Sequence, residues 1–409
     1  MSRMLNRRLA HSLASSFSTA TKTPTLYGWG NRKALPLTAC TENDVFLKPV
    51  RLDIRPEYAL PQESVITHIA AGWGHSLLAT DAKRVYGFGL SRCGQAGESE
   101  GGGLVFECPA ADDHRDIQIR QLACGREHSH IVTTSQQQHQ QGNRHGQETQ
   151  LYSFGNNMYG QLGLGKSKET HPGTFVMQTR PQAVETCMMN ITDIACGLDH
   201  TVFVAEDKHV YAMGWGADGQ LGLAEGWTGD KNLPTQLPSL GGAPIKKIAG
   251  STDFTLALTA DGGLWTWGNS EYGQGMTGAK IDRILQPIRL EHRGIVDIAA
   301  GGPFSVVLAE DGSVHTCGYG ALGLGRDTIE TLSLQRIRDL PQIQKVFATT
   351  DFAAAVAASG ELFTWGLNGS SGRLGLGHQE HAFQAERVDI DKEVHDMVLG
   401  TNHALAICI

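Results

Sequence analysis

Four groupings of residues in this chain could do chemistry. The stretch GQLGLGKS, Gly160 to Ser167, fills every required position of the pattern G-x-x-x-x-G-K-[ST]. In that pattern a strand delivers a glycine-rich turn to a helix, whose free N–H groups hold nucleotide phosphates. GWGADG from Gly214 and GYGALG from Gly318 each read G-x-G-x-x-G, the dinucleotide-binding fingerprint. Asp199–His200 and Glu127–His128 place a carboxylate beside an imidazole, as a general-base dyad would. His128 and His130 have the spacing of two metal ligands on one strand face.

The elements that should position these groups are missing. After Ser167 the chain reads KETHPGTF, so Pro172 and Gly173 arrive too soon for a helix of ordinary length. No helical periodicity follows either G-x-G-x-x-G. No third ligand accompanies His128 and His130, and the eight cysteines contain neither a C-x-x-C pair nor zinc spacing. Neither a metal nor a cofactor is expected. Several nucleotide motifs in one chain point to a common cause, internal repetition.

A repeat is present. LYGWG at 26, VYGFG at 85, LYSFG at 151, VYAMG at 210, LWTWG at 264, VHTCG at 314 and LFTWG at 362 make seven copies ending on a fixed glycine. A second signature also occurs seven times, as IAAGWGHSLL, LACGREHSHI, IACGLDHTVF, IAGSTDFTLA, IAAGGPFSVV, VFATTDFAAA and MVLGTNHALA. In five pairs, 14 residues separate the His or Phe of the second signature from the glycine of the first. His128 to Gly155 is longer, and the excess falls in the polar run over 135–150, expected to be a hairpin loop insertion. Successive fixed glycines lie 48 to 66 residues apart, a spacing that suits propeller blades. The apolar segments are short, rich in β-branched and aromatic residues, and bounded by Gly, Asp or Asn, which selects strands. RPQAV, LPTQL and LQPIRL carry proline, so they should form the outermost strand of each blade.

The chain ends in HALAICI with no aromatic-Gly strand after it, and opens its folded part with TLYGWG, with no His-bearing strand before it. Joining the two ends in one blade closes the ring and removes exposed sheet edges. The expected fold is an all-β, seven-bladed β-propeller over 25–409. His75, His128, His200 and His403 then become equivalent to Phe254, Phe304 and Phe352, which makes them core residues with a polar tip rather than catalysts. Cys124 and Cys196 share a repeat position with Ala71 and Ala300 and read as small buried fillers. Trp29, Trp215, Trp267 and Trp365 read as packing residues.

The repeat resembles that of the regulator of chromosome condensation family, whose units carry a pattern near A-C-G-x-x-H-[ST] and then G-x-N-x-x-G-Q-L-G-L-G. ACGLDHT with GWGADGQLGL, and ACGREHS with GNNMYGQLGLG, match it closely. Within the family, GWGADGQLGL, ADGGLWTWGNSEYGQ and GYGALGLG look most like the mitochondrial, guanine nucleotide exchange factor-like branch. The resemblance implies regulation or scaffolding without covalent chemistry. One implied role is exchange factor for a mitochondrial GTPase, the dynamin-like GTPase of inner-membrane fusion. The alternative is a scaffold for ribosomal RNA and assembly factors of the mitochondrial large ribosomal subunit.

The first 41 residues contain no Asp or Glu, while residues 1–24 hold Arg3, Arg7, Arg8 and Lys22 among many Ser and Thr. This is transit-peptide composition, and Leu5, Leu9 and Leu13 fall on one side of a helix whose other side is basic. The expected location is the mitochondrial matrix or the matrix side of the inner membrane, with room for peripheral membrane association. No apolar run reaches the ~18 residues of a membrane span. The formal net charge is −8, and −12 without the four basic residues of the leader, which opposes nonspecific binding of DNA or RNA. The places left for a partner are Trp227, in a loop outside the repeat, and the basic stretch carrying Lys280, Arg283, Arg289 and Arg293.

Overall fold

The computed structural model describes residues 24–36, 44–52, 64–98, 102–109, 115–137, 147–185, 189–224, 226, 228–238 and 240–409. They form seven four-stranded antiparallel sheets arranged as a propeller. Blade 7 is shared between the chain ends, with β1 (Thr25–Asn31) and β2 (Val45–Arg51) beside β27 (Val394–Leu399) and β28 (His403–Cys408). Blade 1 holds β3 (Ile66–Ala71), β4 (His75–Thr80), β5 (Arg84–Gly89) and β6 (Gly103–Glu107). Blade 2 holds β7 (Arg115–Cys124), β8 (His128–Gln137), β9 (Gln147–Asn156) and β10 (Met177–Ala183). Blade 3 holds β11 (Ile191–Cys196), β12 (His200–Ala205), β13 (Val210–Gly214) and β14 (Lys231–Gln236). Blade 4 holds β15 (Ile245–Gly250), β16 (Phe254–Thr259), β17 (Leu264–Ser270) and β18 (Ile281–Leu290). Blade 5 holds β19 (Ile295–Ala300), β20 (Phe304–Ala309), β21 (Val314–Tyr319) and β22 (Glu330–Arg336). Blade 6 holds β23 (Ile343–Thr349), β24 (Phe352–Ala357), β25 (Leu362–Gly366) and β26 (Ala382–Arg387). β27 (Val394–Leu399) and β28 (His403–Cys408) complete blade 7, where β1 pairs with β28 from Thr25↔Cys408 to Gly30↔His403.

Burial follows position in the blade. The second strands, such as β4, β12, β16, β24 and β28, are buried along their whole length, because neighbouring blades cover both faces; their sequences accordingly run apolar without alternation. The proline-bearing β10, β14 and β18 are outermost, as the sequence requires, with unpaired edges toward solvent. The innermost strands line a central channel of about 240 Å³. The apolar core divides by interface: separate clusters lie between successive blades, except that one continuous cluster fuses blades 5, 6 and 7.

Two expectations are corrected here. The polar run over 135–150 is not all loop, because β8 and β9 stay paired out to Gln136↔Gln147; residues 138–146 lie outside the described residues. Trp29, Trp267 and Trp365 are fully buried, but Trp215 is only half-buried. It follows the fixed glycine instead of preceding it, so it leaves the strand at the rim. The leader over 1–24 falls almost wholly outside the described residues. Among the described residues, no helix is long and apolar enough to cross a membrane.

Candidate functional site

The ring has two unlike faces. The turns between first and second strands and the loops between third and fourth strands emerge on one side, here the upper face. The second-to-third turns among the described residues are short and emerge on the lower face. GQLGLGKS is an upper-face loop and holds blades together instead of holding phosphate. Gly160, Gly163 and Gly165 take positive φ, Leu162 is buried, and the Gln161 carbonyl accepts a hydrogen bond from Thr201 of blade 3 at 3.1 Å. The Gln95 carbonyl accepts likewise from Ser129 at 2.8 Å, the Gln220 carbonyl from Trp267 Nε1 at 2.9 Å and the Gln274 carbonyl from Ser305 at 2.6 Å. No helix follows Ser167, and the same holds after GWGADG and GYGALG.

The dyads dissolve as well. Asp199 turns away from His200 to pair with Arg126 of blade 2, and Glu127 accepts from Asn156 at 3.1 Å. The four histidines point inward and across blade boundaries. His403 Nε2 lies 2.7 Å from the Ser76 hydroxyl, His75 Nε2 2.8 Å from Ser129, His128 Nε2 3.2 Å from Thr201, and His200 Nε2 3.4 Å from Thr255. Ser129 and Thr201 spend their protons on the carbonyls of Gln95 and Gln161, so the imidazoles of His75 and His128 donate from Nε2. Burial keeps these rings neutral: His75 and His200 are lowered to about 3 and His403 to about 4. Gly125 is required beneath His128, since a Cβ there would sit 2.0 Å from the ring and 2.7 Å from the Gly197 carbonyl. That contact explains the G-x-x-H spacing.

The channel holds a feature that sequence reading missed. Each innermost strand has a bulge, near its start in six blades and at mid-strand in the longer β7, and the bulge turns His68, Gln121, Asp193, Lys247, Asp297, Lys345 and Asp396 into a belt. Gln121 donates to Asp193 at 2.8 Å, Lys247 to Asp297 at 2.6 Å and Lys345 to Asp396 at 3.1 Å. Asp193 is raised by burial, although it accepts from the Ile248 amide at 2.7 Å. The belt ties neighbouring blades across the channel wall. A signal existed in the sequence, a polar residue two places after the first apolar residue of each copy, as in ITDIAC and IVDIAA.

Among the described residues, exposure of large apolar side chains is confined to the upper side. All nine exposed large hydrophobics among the described residues, Trp73, Leu90, Leu104, Phe175, Met177, Leu233, Tyr272, Tyr319 and Ile329, lie in upper-face loops or the adjoining strand ends. Tyr272 and Tyr319 from adjacent blades meet at 5.5 Å between ring centroids. Tyr159 meets Trp215 edge-on at 4.7 Å, with Lys168 Nζ 4.0 Å from the Tyr159 centroid and 3.4 Å from Asp230. Arg126 lies 5.8 Å from the Trp73 ring. Asp253 is raised to about 6 by burial and by the nearby charges of Asp218 and Asp199.

The structure does not gather the nominated basic residues into one patch. Lys280 and Arg283 sit at the upper end of β18, where Lys280 pairs with Glu330 and Arg283 bonds the Ala217 carbonyl at 3.2 Å. Arg289 and Arg293 lie toward the lower end, with Arg289 roughly 20 Å from Arg283 and roughly 30 Å from Lys280 at ~3.3 Å per residue. Arg289 there lies across from Trp265, near Asp261. Trp227 lies outside the described residues. His128 and His130 do gain a third potential ligand, Cys196, and the three donor atoms lie within 4.8 Å of one another.

Comparison with known proteins bears on this arrangement. A family model described as an RCC1-like domain matches residues 7–293. The human RCC1-like G exchanging factor-like protein is 31% identical over 378 residues, covering 86% of this chain and 77% of the relative. Its mouse counterpart is 30% identical over 389 residues, covering 88% and 80%. The crystal structure of human WBSCR16 superposes with a TM-score of 0.80 at 29% identity, over 95% of this chain and 99% of that one. Yeast RCC1 (Prp20), solved bound to Kap60, shares the fold, with a TM-score of 0.78 at 21% identity over 98% and 92%. A seven-bladed ring closed by its own ends, built on G-x-x-H and GQLGLG copies and similar over most of its length to these proteins, belongs to the RCC1-like family.

Proposed function

We propose that this protein is a GTPase regulator of the exchange-factor kind, acting through its upper face and performing no covalent chemistry. The observation that carries this reading is the one-sided exposure of large hydrophobics among the described residues. A rigid ring with Trp73, Tyr272 and Tyr319 exposed on one face and charged hairpin turns on the other offers a protein partner a single docking side. Similarity over most of the chain to relatives named G exchanging factor-like points the same way. The working phosphate loop then belongs to the GTPase, and the propeller favours the nucleotide-free form by binding it more tightly than the loaded form.

The acid-free, arginine-bearing leader supports a mitochondrial location, and the GTPase we propose is the dynamin-like GTPase of inner-membrane fusion. The scaffold reading for ribosomal RNA draws on the basic stretch at 280–293, whose residues are divided between the two ends of one strand and partly engaged by Glu330 and Asp282. The test is the rate of labelled GDP release from that GTPase with and without the purified propeller. Acceleration is expected, weakened at least tenfold by Tyr272→Ala combined with Trp73→Ala, and unaffected by the lower-face change Asp207→Ala. An unchanged release rate with the wild-type propeller would remove the reading.

A further inference from the structure

The interface between blades 2 and 3 carries one residue that the repeat does not call for. His130 is fully buried at a position where the other six blades place Leu77, Val202, Leu256, Val306, Ala354 and Leu405. Replacing an aliphatic by an imidazole in a packed core costs desolvation unless the ring is used. Two elements bring His130 to its neighbours. Alternation along β8 puts His128 and His130 on the same face, with their rings edge-on at 5.4 Å. The pairing Cys196↔Thr201 in blade 3 then presents a thiol and a hydroxyl to both rings.

We propose that His128 Nε2, His130 Nε2 and Cys196 Sγ form a buried binding site for one zinc(II) or copper(I) ion, the borderline-to-soft d10 ions that imidazole and thiolate together favour. The Thr201 hydroxyl supplies the fourth corner. It stands 3.2 Å from His128 Nε2 and 2.9 Å from His130 Nε2, close to the separation of ~3.3 Å between ligands in a tetrahedral site with bonds of ~2.0 Å. The three donor atoms, now within 4.8 Å of one another, draw inward by a fraction of that distance.

The surroundings suit ligation. Both rings are neutral, the form that binds a metal, because burial holds His130 at about 3 and His128 well below its usual value. His130 Nδ1 rests 2.8 Å from the Ser153 hydroxyl, the kind of outer contact that fixes a ligand's tautomer and ring angle. Without an ion the Cys196 thiol stays protonated, raised well above its usual value by burial and by Cys124 next to it. Binding therefore releases one proton, from the thiol, while each imidazole keeps one proton and shifts it from Nε2 to Nδ1. Cys196 lines the central channel and its mouth, which gives the ion a route in.

The test uses the full chain stripped with a chelator. Zn²⁺ is titrated against a chromogenic indicator, and Cu⁺ against its own indicator under reducing, oxygen-free conditions; Co²⁺ serves as a spectroscopic stand-in for zinc. One equivalent of at least one of the two ions should bind, and the cobalt form should show a thiolate-to-metal charge-transfer band. Cys196→Ala and His130→Leu copy what other blades hold at these positions, so both should fold, as circular dichroism can check. Each should lower affinity at least 100-fold, and Cys196→Ala should abolish the cobalt band. Ser153→Ala, which removes only the outer contact, should weaken binding ~10–100-fold. Failure of both ions to bind stoichiometrically, or unchanged affinity in Cys196→Ala, would overturn the site; if His130→Leu does not fold, Cys196→Ala alone decides.

Discussion

Blades 7, 1, 2 and 3 form a continuous arc with histidine at the head of the second strand, and blades 4, 5 and 6 an arc with phenylalanine there. Both arcs have the same backbone yet fasten their blades differently. In the histidine arc each ring reaches a hydroxyl of the following blade, from His403–Ser76 round to His200–Thr255, and the apolar clusters remain separate between interfaces. After Phe304 and Phe352 the next blade offers Ala353 and Ala404 in place of a hydroxyl, and the core there fuses into one cluster over three blades. Directional bonds fix the register of neighbouring blades and bring a polar cost in the core; apolar fusion tolerates sliding and has no titratable part.

Acid should separate the arcs most strongly. His75, His128, His130, His200 and His403 all have folded pKa values lowered by burial, those of His75, His130 and His200 to about 3 and that of His403 to about 4. Above the unfolded value of about 6.5 both states are neutral at these sites, and the groups leave stability unchanged with pH. Below it the unfolded chain takes up protons that the folded ring refuses, so stability falls as pH drops toward 4, by up to ~1.4 kcal/mol per pH unit for each ring. Hydrogen exchange at pH 5 against pH 7.5 should show strands β28, β4, β8 and β12 losing protection before β16, β20 and β24. Uniform loss around the ring would break the contrast.

Exchanging one fastening for the other comes next in size. Phe304→His puts an N–H beside Ala353, which has no acceptor, and removes apolar contact. A cost of ~3–5 kcal/mol is expected in denaturant unfolding. Adding Ala353→Ser supplies the hydroxyl and should return ~1–3 kcal/mol. If the double variant is no more stable than the single, the histidine clasp does not depend on its hydroxyl.

Removing a hydroxyl from the histidine arc is the milder form. Ser129→Ala strips the acceptor from His75 Nε2 and the donor from the Gln95 carbonyl, at a cost of ~1–3 kcal/mol. Ser305→Ala loses only the bond to the Gln274 carbonyl, ~1 kcal/mol. Paired thermal melts would show the difference, and equal costs would deny that the imidazole gains from its clasp.

The propeller itself was legible, because fixed glycines and G-x-x-H copies recur in one register and the two chain ends complement each other. The histidines were legible as core residues, but their partners were missed. The signal lay one blade further on: a Ser or Thr follows the head position in every blade preceded by histidine, at Ser76, Ser129, Thr201 and Thr255, against Ala353 and Ala404 after phenylalanine. Ser305 follows Phe254 and blurs the rule, since it serves the Gln274 carbonyl instead. The belt from His68 to Asp396 needed the bulge geometry, which no single copy reveals. Cys196 could not be matched to His128 and His130 by spacing, because the contact crosses a blade boundary more than 60 residues along the chain.

The smallest effect is expected where the sequence offered the strongest nucleotide motif. The loop at Lys166 belongs to the histidine arc, and its contribution there comes from backbone and leucine: the Lys166 carbonyl accepts from Asn157 Nδ2 at 2.9 Å, Leu162 is buried, and the Lys166 residue itself is exposed. The matching loops GQLGLAEG and GRLGLGHQ carry Glu225 and His378 where Lys166 stands; both keep the leucines and the first two glycines, and Ala224 takes the place of Gly165 in the first of them, also at positive φ. Lys166→Ala should therefore change stability by less than ~0.5 kcal/mol and leave GDP release from a partner GTPase untouched. Leu162→Ala, one turn earlier in the same loop, should cost ~2–5 kcal/mol, because it opens a void between blades. A phosphate loop would reverse that ranking for nucleotide binding, with the lysine indispensable; loss of a measurable nucleotide affinity on Lys166→Ala would make the loop a ligand site and end its reading as a fastener.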